Sequence, residues 1–352
     1  MADRINEQEL PLDTGRIIGF DLVRAVEAAS LGGFKWLGCG DKIAADEAAT
    51  DALRGMLNLI DMQGLCVIGE GIKDEAPGIF RNEKLGRWRP TSPRINFAID
   101  PIDGTRLTAK GLPGAISVLA ATVVSQESER VLAELPSFYS YKVAYGPAVR
   151  EAGPEINLDA PLEKTLQQIA DCLQKRLGDL VVALLDRPRH ATQIAEIRKL
   201  GARIRLIGDG DVAMAIAPSM LNNTVDLYLG IGGSPEAVIA AAAIKCLGGE
   251  MLVRMWPRDE SELAELKDSQ WADCLDRIYN CDDLAAGEDI IFAATGISDS
   301  PLLDGVVIRG QHAYTHSLLM RAQSRTVRYI QTIHDLSRKT IRLASDQQEH
   351  SL

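Results

Sequence analysis

Several things are missing from this sequence, and each absence removes a class of protein. No apolar run approaches the roughly 20 residues that a membrane-spanning helix needs. The segment Met1-Ala2-Asp3-Arg4-Ile5-Asn6-Glu7 lacks the apolar core of a secretory signal, so a cytoplasmic location is the expectation. Positive charge is in deficit, with 38 Lys and Arg against 49 Asp and Glu and a net charge of −11. That balance disfavours nonspecific binding to nucleic acid. Cysteines stand at 39, 66, 172, 246, 274 and 281, with no Cys-x-x-Cys and no zinc spacing. Cys66 and Cys246, inside apolar runs, read as small core residues, and Cys39 as a reduced, inert thiol. There is no internal repeat and no low-complexity segment.

What remains is a chain of 352 residues, 46% of them apolar, enough for one large domain or two fused ones. Apolar periodicity predicts helices over Ile17–Leu31 and Ala44–Met62, with Gly32-Gly33 ending or kinking the first. Leu65–Gly69, Ile95–Ile99, Ala115–Val124 and Val131–Leu135 read as strands. A linker opens at Gly153-Pro154-Glu155, between an N-terminal half over 17–150 and a C-terminal half over 155–337. In the second half a helix over Leu162–Leu177 precedes three strand, turn and helix repeats. The strands are Leu180–Leu185, Ile204–Ile207 and Val225–Gly230, and the helices run to Leu200, Ala217 and Cys246. Asp289–Ala294 is a last strand. Such alternation points to an α/β (α+β) fold with a parallel or mixed sheet covered on both faces. Ligands bind such sheets at the strand C-terminal ends.

The chemistry centres on Asp100-Pro101-Ile102-Asp103-Gly104-Thr105. Pro101 cannot donate to a sheet ladder, so the preceding strand is expected to end there. Two carboxylates and a hydroxyl then share one tight loop, a set of oxygens suited to hard cations such as Mg2+ or Mn2+. Asp-Pro and Asp-Gly also mark ordinary turns, so the hexapeptide alone decides nothing. Other acids accompany it. Asp46 falls in the first turn of the predicted helix, where the helix dipole also favours a carboxylate. Glu70 follows the apolar run 65–68, and Asp74-Glu75 lies just beyond. Glu236 follows Ser234-Pro235, which reads as a helix N-cap and a first-turn proline.

These motifs resemble the metal-dependent, lithium-sensitive phosphatases. Gly40-Asp41-Lys42, Gly69-Glu70-Gly71, Asp74-Glu75-Ala76-Pro77, Arg187-Pro188-Arg189-His190, Asp209-Gly210-Asp211 and Gly230-Ile231-Gly232-Gly233-Ser234-Pro235-Glu236 narrow the resemblance to the class II fructose-1,6-bisphosphatases, over about residues 17–337. The resemblance implies a layered α-β-α-β-α sandwich, a homo-oligomer (dimer or tetramer) and Mg2+ or Mn2+ as cofactor. It implies hydrolysis of the 1-phosphate of fructose-1,6-bisphosphate, in some members also of sedoheptulose-1,7-bisphosphate, in gluconeogenesis or the Calvin cycle. Metal ligands are implied at Asp46, Glu70, Asp100, Asp103 and Glu236, and catalytic roles at Lys42, Asp74 and Thr105. Substrate contacts are implied at Asp103, Gly104, Thr105, Tyr139, Arg187, Pro188, Arg189, Asp209, Gly210, Asp211 and Gly233.

That assignment is chemically coherent. A sugar bisphosphate carries roughly four negative charges near neutral pH, and an acidic protein binds it only with local positive charge. Paired cations would serve the scissile phosphate, Arg187 and Arg189 the distal one, and Asp209 and Asp211 the sugar hydroxyls. The sequence departs from the family at Ile72, where an acid is usual and an apolar side chain cannot ligate. It departs again at Asp103, where many members have Glu, and in the basic, proline-broken loop Arg81–Pro93. Two other readings stay open: a related phosphatase acting on inositol phosphate or nucleotides, and a sugar-phosphate-binding regulator without turnover.

Overall fold

A computed structural model describes residues 13–69, 78–126, 129, 131–222, 224–345 and 349–351. Two packed helices come first, α1 (Thr14–Phe34) and α2 (Lys42–Leu57). Ile18, Leu22, Ala25, Val26 and Ala29 recur at helical spacing and are buried, so α1 lays one apolar face on its neighbours. Phe20, on the same helix, is 54% exposed. Gly32-Gly33 does not break the helix. A Cβ on Gly32 would lie 2.8 Å from the Ala48 carbonyl oxygen, and one on Gly33 2.9 Å from Ile102 Cδ1. The glycines therefore serve close packing. α2 starts two residues before the predicted Ala44, because the Asp41 carboxylate caps it, accepting from the N–H groups of Ile43 and Ala44 at 3.1 and 3.0 Å. Asp46 consequently sits in the second turn.

Next come β1 (Gln63–Ile68), β2 (Lys84–Leu85), β3 (Arg94–Asp103), the short α3 (Thr105–Lys110) and β4 (Ile116–Val124). Pro101 does not stop β3. The pairing with β4 shifts register between Asp100 and Asp103, and a proline's missing donor is tolerated at such a bulge. The predicted strand Val131–Leu135 reduces to one bridge, Leu132 with Ala285. An unpredicted strand follows, β5 (Tyr139–Tyr145), then α4 (Pro147–Ala152) and α5 (Leu162–Cys172). α5 stops short of Leu177, and the backbone turns to positive φ (54°) at Gln174. The repeats are β6 (Val181–Leu185), α6 (Ala191–Leu200), β7 (Arg203–Ile207), α7 (Val212–Ile216), β8 (Leu227–Gly233) and α8 (Ser234–Leu247). The remainder is β9 (Glu250–Trp256), α9 (Glu260–Lys267), α10 (Cys281–Leu284), β10 (Ile290–Gly296), β11 (Val307–Arg309), β12 (His312–Arg321), β13 (Thr326–Asp335), β14 (Thr340–Arg342) and β15 (Glu349–Ser351).

Two large sheets result. The first has eight strands in the order β11-β12-β10-β4-β3-β1-β2, with β13 paired to β12; the second has five, β7-β6-β8-β5-β9. α1 and α2 cover one face of the first sheet through Leu22, Leu53, Phe97 and Leu119. α5 and α6 cover the outer face of the second through Leu166, Ile169, Ile194 and Ile197. Between the sheets lie α7 and α8, in a core with Ala120, Tyr228 and Phe292. α8 is buried continuously from Ala237 to Ile244, as befits a helix apolar all round. The layers therefore alternate α-β-α-β-α, the sandwich that the sequence motifs implied. β6 runs parallel to β7 and β8, so their C-terminal ends share one side. No helix among the described residues is long and apolar enough to cross a membrane.

Candidate active site

The C-terminal ends of β3, β6, β7 and β8 meet at a cleft of about 570 Å³. Of the residues singled out in the sequence, Lys42, Asp100, Asp103, Gly104, Thr105, Tyr139, Arg187, Arg189, Asp209, Gly210, Asp211, Gly233 and Glu236 line it. Asp46 and Pro188 do not. Asp46 lies on α2 one helical turn beyond Lys42. Pro188 begins the short 3-10 turn Pro188–His190, which carries the flanking arginines. Glu70, Ile72 and Asp74 lie outside the described residues.

Local geometry explains how the acids come together. Asp100 and Asp103 are almost fully buried on β3. Asp100 Oδ1 accepts from the N–H of Ile102 at 2.9 Å, a turn within the bulge that Pro101 makes. Gly104 then takes φ +98° and starts α3, which puts Thr105 at its first position. From the second half of the chain, the N–H of Val212, at the start of α7, donates to Asp103 Oδ2 at 3.1 Å. Gly233, rather than the predicted Ser234, caps α8, with Pro235 and Glu236 in the first turn. A Cβ on Gly233 would fall 1.9 Å from Glu236 Oε2, and one on Gly232 would fall 2.0 Å from Asp211 Oδ2. Two missing side chains thus make room for two carboxylates.

Burial dominates the electrostatics, and the crowding of like charge adds to it. Burial raises the Asp103 carboxyl well above the usual range, and the charges of Asp211, Glu236 and Asp209 raise it further, while Lys142 opposes them. Asp46 is raised to about 6, by burial first and then by Glu47. Among the described residues no three His, Cys, Asp or Glu side chains already stand as a metal cage. The donors present are all carboxylate oxygens, a set that fits Mg2+ or Mn2+ and not a soft metal.

The other wall is cationic. Arg187 donates to Asp209 Oδ1 at 2.8 Å and to the Gly208 carbonyl at 2.5 Å. Arg189 donates to the Ile231 carbonyl through Nε and one Nη, at 3.1 and 2.8 Å, and stacks 4.4 Å above the Tyr139 ring. Each guanidinium keeps further N–H groups for a ligand.

Three buried residues to which the sequence assigned no role of their own, His190, Lys142 and Tyr228, support the cleft. The N–H of Ile231 donates to His190 Nε2 at 2.7 Å, so Nδ1 carries the proton given to the Leu185 carbonyl, also at 2.7 Å. Burial, with the charges of Arg189 and Arg187, lowers the His190 pKa, partly opposed by that hydrogen bond. This neutral ring ties the arginine turn to β6 and β8. Lys142 and Tyr228 both donate to Asp211 Oδ2, at 2.7 and 2.8 Å. A lysine inside Tyr141-Lys142-Val143-Ala144 was the available signal for the first of these.

Comparison with known proteins shows the family. The family model described as bacterial fructose-1,6-bisphosphatase, glpX-encoded, matches residues 16–334. Fructose-1,6-bisphosphatase 1 class 2 of Escherichia coli (strain K12) is 40% identical over 335 residues, which cover 92% of this chain and 97% of that one. Fructose-1,6-bisphosphatase class 2 of Shigella flexneri shows the same identity and coverage.

Proposed function

The chain belongs to the bacterial class 2 fructose-1,6-bisphosphatase family, and we propose that it removes the 1-phosphate of fructose-1,6-bisphosphate in this cleft. It is a phosphoric monoester hydrolase. The observation that carries the reading is one cleft holding buried acids, two arginines and hydroxyl acceptors together. That is what a substrate with a phosphate at each end and hydroxyls between requires.

Mg2+ or Mn2+ is the cofactor in this reading, held by Asp100, Asp103 and Glu236 with Asp46 and Glu70. A bound divalent cation supplies Lewis-acid polarisation of the phosphoryl oxygens. The remaining work falls to the chain's own side chains. Arg187 and Arg189 hold the distal phosphate, with Tyr139 supporting Arg189 from below. Asp211 accepts from a sugar hydroxyl. Thr105, placed by the Gly104 turn, and Asp74 orient the attacking water and take its proton, and Lys42 at the cleft rim offsets phosphate charge. Such positioning and charge stabilisation are the main demands of phosphoryl transfer.

Residues 17–150 and 155–337 act as one catalytic unit in this account, since the cleft draws on both. A homo-oligomer is part of it too. β13 pairs with β12 on one side, and its Tyr329 and Ile333 are 55% and 64% exposed; long apolar edge strands are normally covered. Cytoplasmic residence fits the six unpaired cysteines, the state kept in reducing compartments. A panel of fructose-1,6-bisphosphate, sedoheptulose-1,7-bisphosphate and inositol phosphate, each with Mg2+ or Mn2+, tests the substrate. Phosphate release from the first is expected; release from inositol phosphate alone, or binding without release, would contradict the reading.

A further inference from the structure

We propose that Lys142 and Tyr228 are positioning residues for the sugar: together they pin one oxygen of Asp211, so that the other is presented in a fixed direction to a substrate hydroxyl. The inference rests on the cleft being a sugar-bisphosphate site.

The two side chains are inaccessible, Lys142 at 1% and Tyr228 at 0% exposure. They lie on adjacent antiparallel strands, with Lys142 opposite Gly230 and Ala144 opposite Tyr228. Both therefore project from the inner face of the second sheet. Their donors converge on a single atom, Asp211 Oδ2, at 2.7 and 2.8 Å. Gly232 keeps that spot open, since a Cβ there would lie 2.0 Å from Oδ2 and 3.1 Å from the Lys142 ammonium.

The backbone of Asp211 is held as well. Its carbonyl accepts from Ala215 at 2.8 Å as α7 begins, and the next N–H, that of Val212, is taken by Asp103. With its main chain fixed on one side and Oδ2 on the other, the carboxylate cannot turn. Asp209, two residues earlier, is used differently. Its Oδ1 accepts from Arg187 at 2.8 Å and its Oδ2 from the N–H of Arg106 at 3.2 Å, so it orients an arginine. Asp211 is then the hydroxyl acceptor of the pair. A fold needing only stability at this place would be served as well by apolar side chains, because a buried ion pair seldom adds net stability over them. A buried ammonium aimed at a cleft-lining carboxylate has its explanation in orientation.

Kinetics of Tyr228→Phe and Lys142→Met, with inorganic phosphate as a second probe, test this. Phosphate inhibits through the phosphate subsites and has no sugar hydroxyl. Tyr228→Phe should raise KM for fructose-1,6-bisphosphate about threefold to tenfold, the equivalent of one hydrogen bond, and Lys142→Met should raise it further. In both, kcat should stay within about threefold, and the inhibition constant of phosphate should not move. Lys142→Met with Asp211→Asn removes both charges, and should recover thermal stability without recovering KM. Unchanged KM in Tyr228→Phe, parallel loss of phosphate binding, or recovery of KM in the double variant would overturn the inference. If Lys142→Met does not fold, Tyr228→Phe decides alone. A wild-type protein without turnover would instead refute the bisphosphatase reading on which this rests.

Discussion

The N–H of Val212 donates to Oδ2 of Asp103 across 3.1 Å, and through this bond the end of β3 meets the start of α7. Asp103 ends a strand of the first sheet, Val212 opens a helix packed between the two sheets, and the two are far apart in sequence. Asp103 therefore receives its position from one half of the chain and a donor from the other. Burial, and then the neighbouring carboxylates, hold it above the usual carboxylate range, a condition that a divalent cation would relieve.

Replacing Asp103 by Asn keeps an acceptor for Val212 and removes the charge. The fold should survive, with a little-changed melting temperature, while kcat at saturating Mn2+ should fall by about 3 kcal/mol, or roughly 100-fold. A kcat within threefold of wild type would show that this carboxylate is not part of the chemistry.

His190 is predicted to matter through the arginines beside it. His190→Phe leaves the Ile231 N–H and the Leu185 carbonyl buried without their present partner. Each such loss costs about 1–3 kcal/mol. Urea unfolding should show the variant less stable by about 2–5 kcal/mol, and KM for the bisphosphate should rise as the Arg187–Arg189 turn loosens. Equal stability and equal KM would contradict the role given to the ring.

The hexapeptide at 100–105 was legible because several residue types with one chemistry sit close together in sequence. The parallel repeats from 181 to 247 were legible because their strands are plain apolar runs. β5 was not, because its inner face carries the polar Ser140 and Lys142, and the partner of Lys142, Asp211, stands far along the chain. The place of Asp46 was misjudged by a turn because Asp41, the true cap, looks like part of a loop. Gly32-Gly33 read as a break, and only the approach of Ala48 and Ile102 explains why glycine is needed there. β12 and β13 alternate in burial only where a neighbour covers them, so the sequence alone did not resolve them as strands.

His334 is the group from which a stability change with pH can be read. It is buried, with Nε2 2.9 Å from the Thr315 hydroxyl. Burial, helped by the Lys339 charge, lowers its pKa to about 4. In the unfolded chain a histidine takes its proton near 6.5. Between those values the unfolded state binds the extra proton, so this contribution to stability is complete above about pH 6.5 and is lost as pH falls toward about 4. The loss is about 3 kcal/mol at most. Urea midpoints between pH 7 and 4.5 should decline more steeply in wild type than in His334→Gln, which retains a partner for Thr315. Superimposable profiles would contradict the assignment.

The central claim is that acids far apart in the chain gather divalent cations against a phosphate ester. The most direct measurement is the anomalous difference map of crystals grown with Mn2+. The account predicts a peak within coordination distance of Asp100 and of Glu236 or Glu70, lost in Asp100→Asn. A map with no peak in the cleft, from crystals whose protein turns over fructose-1,6-bisphosphate, would contradict it.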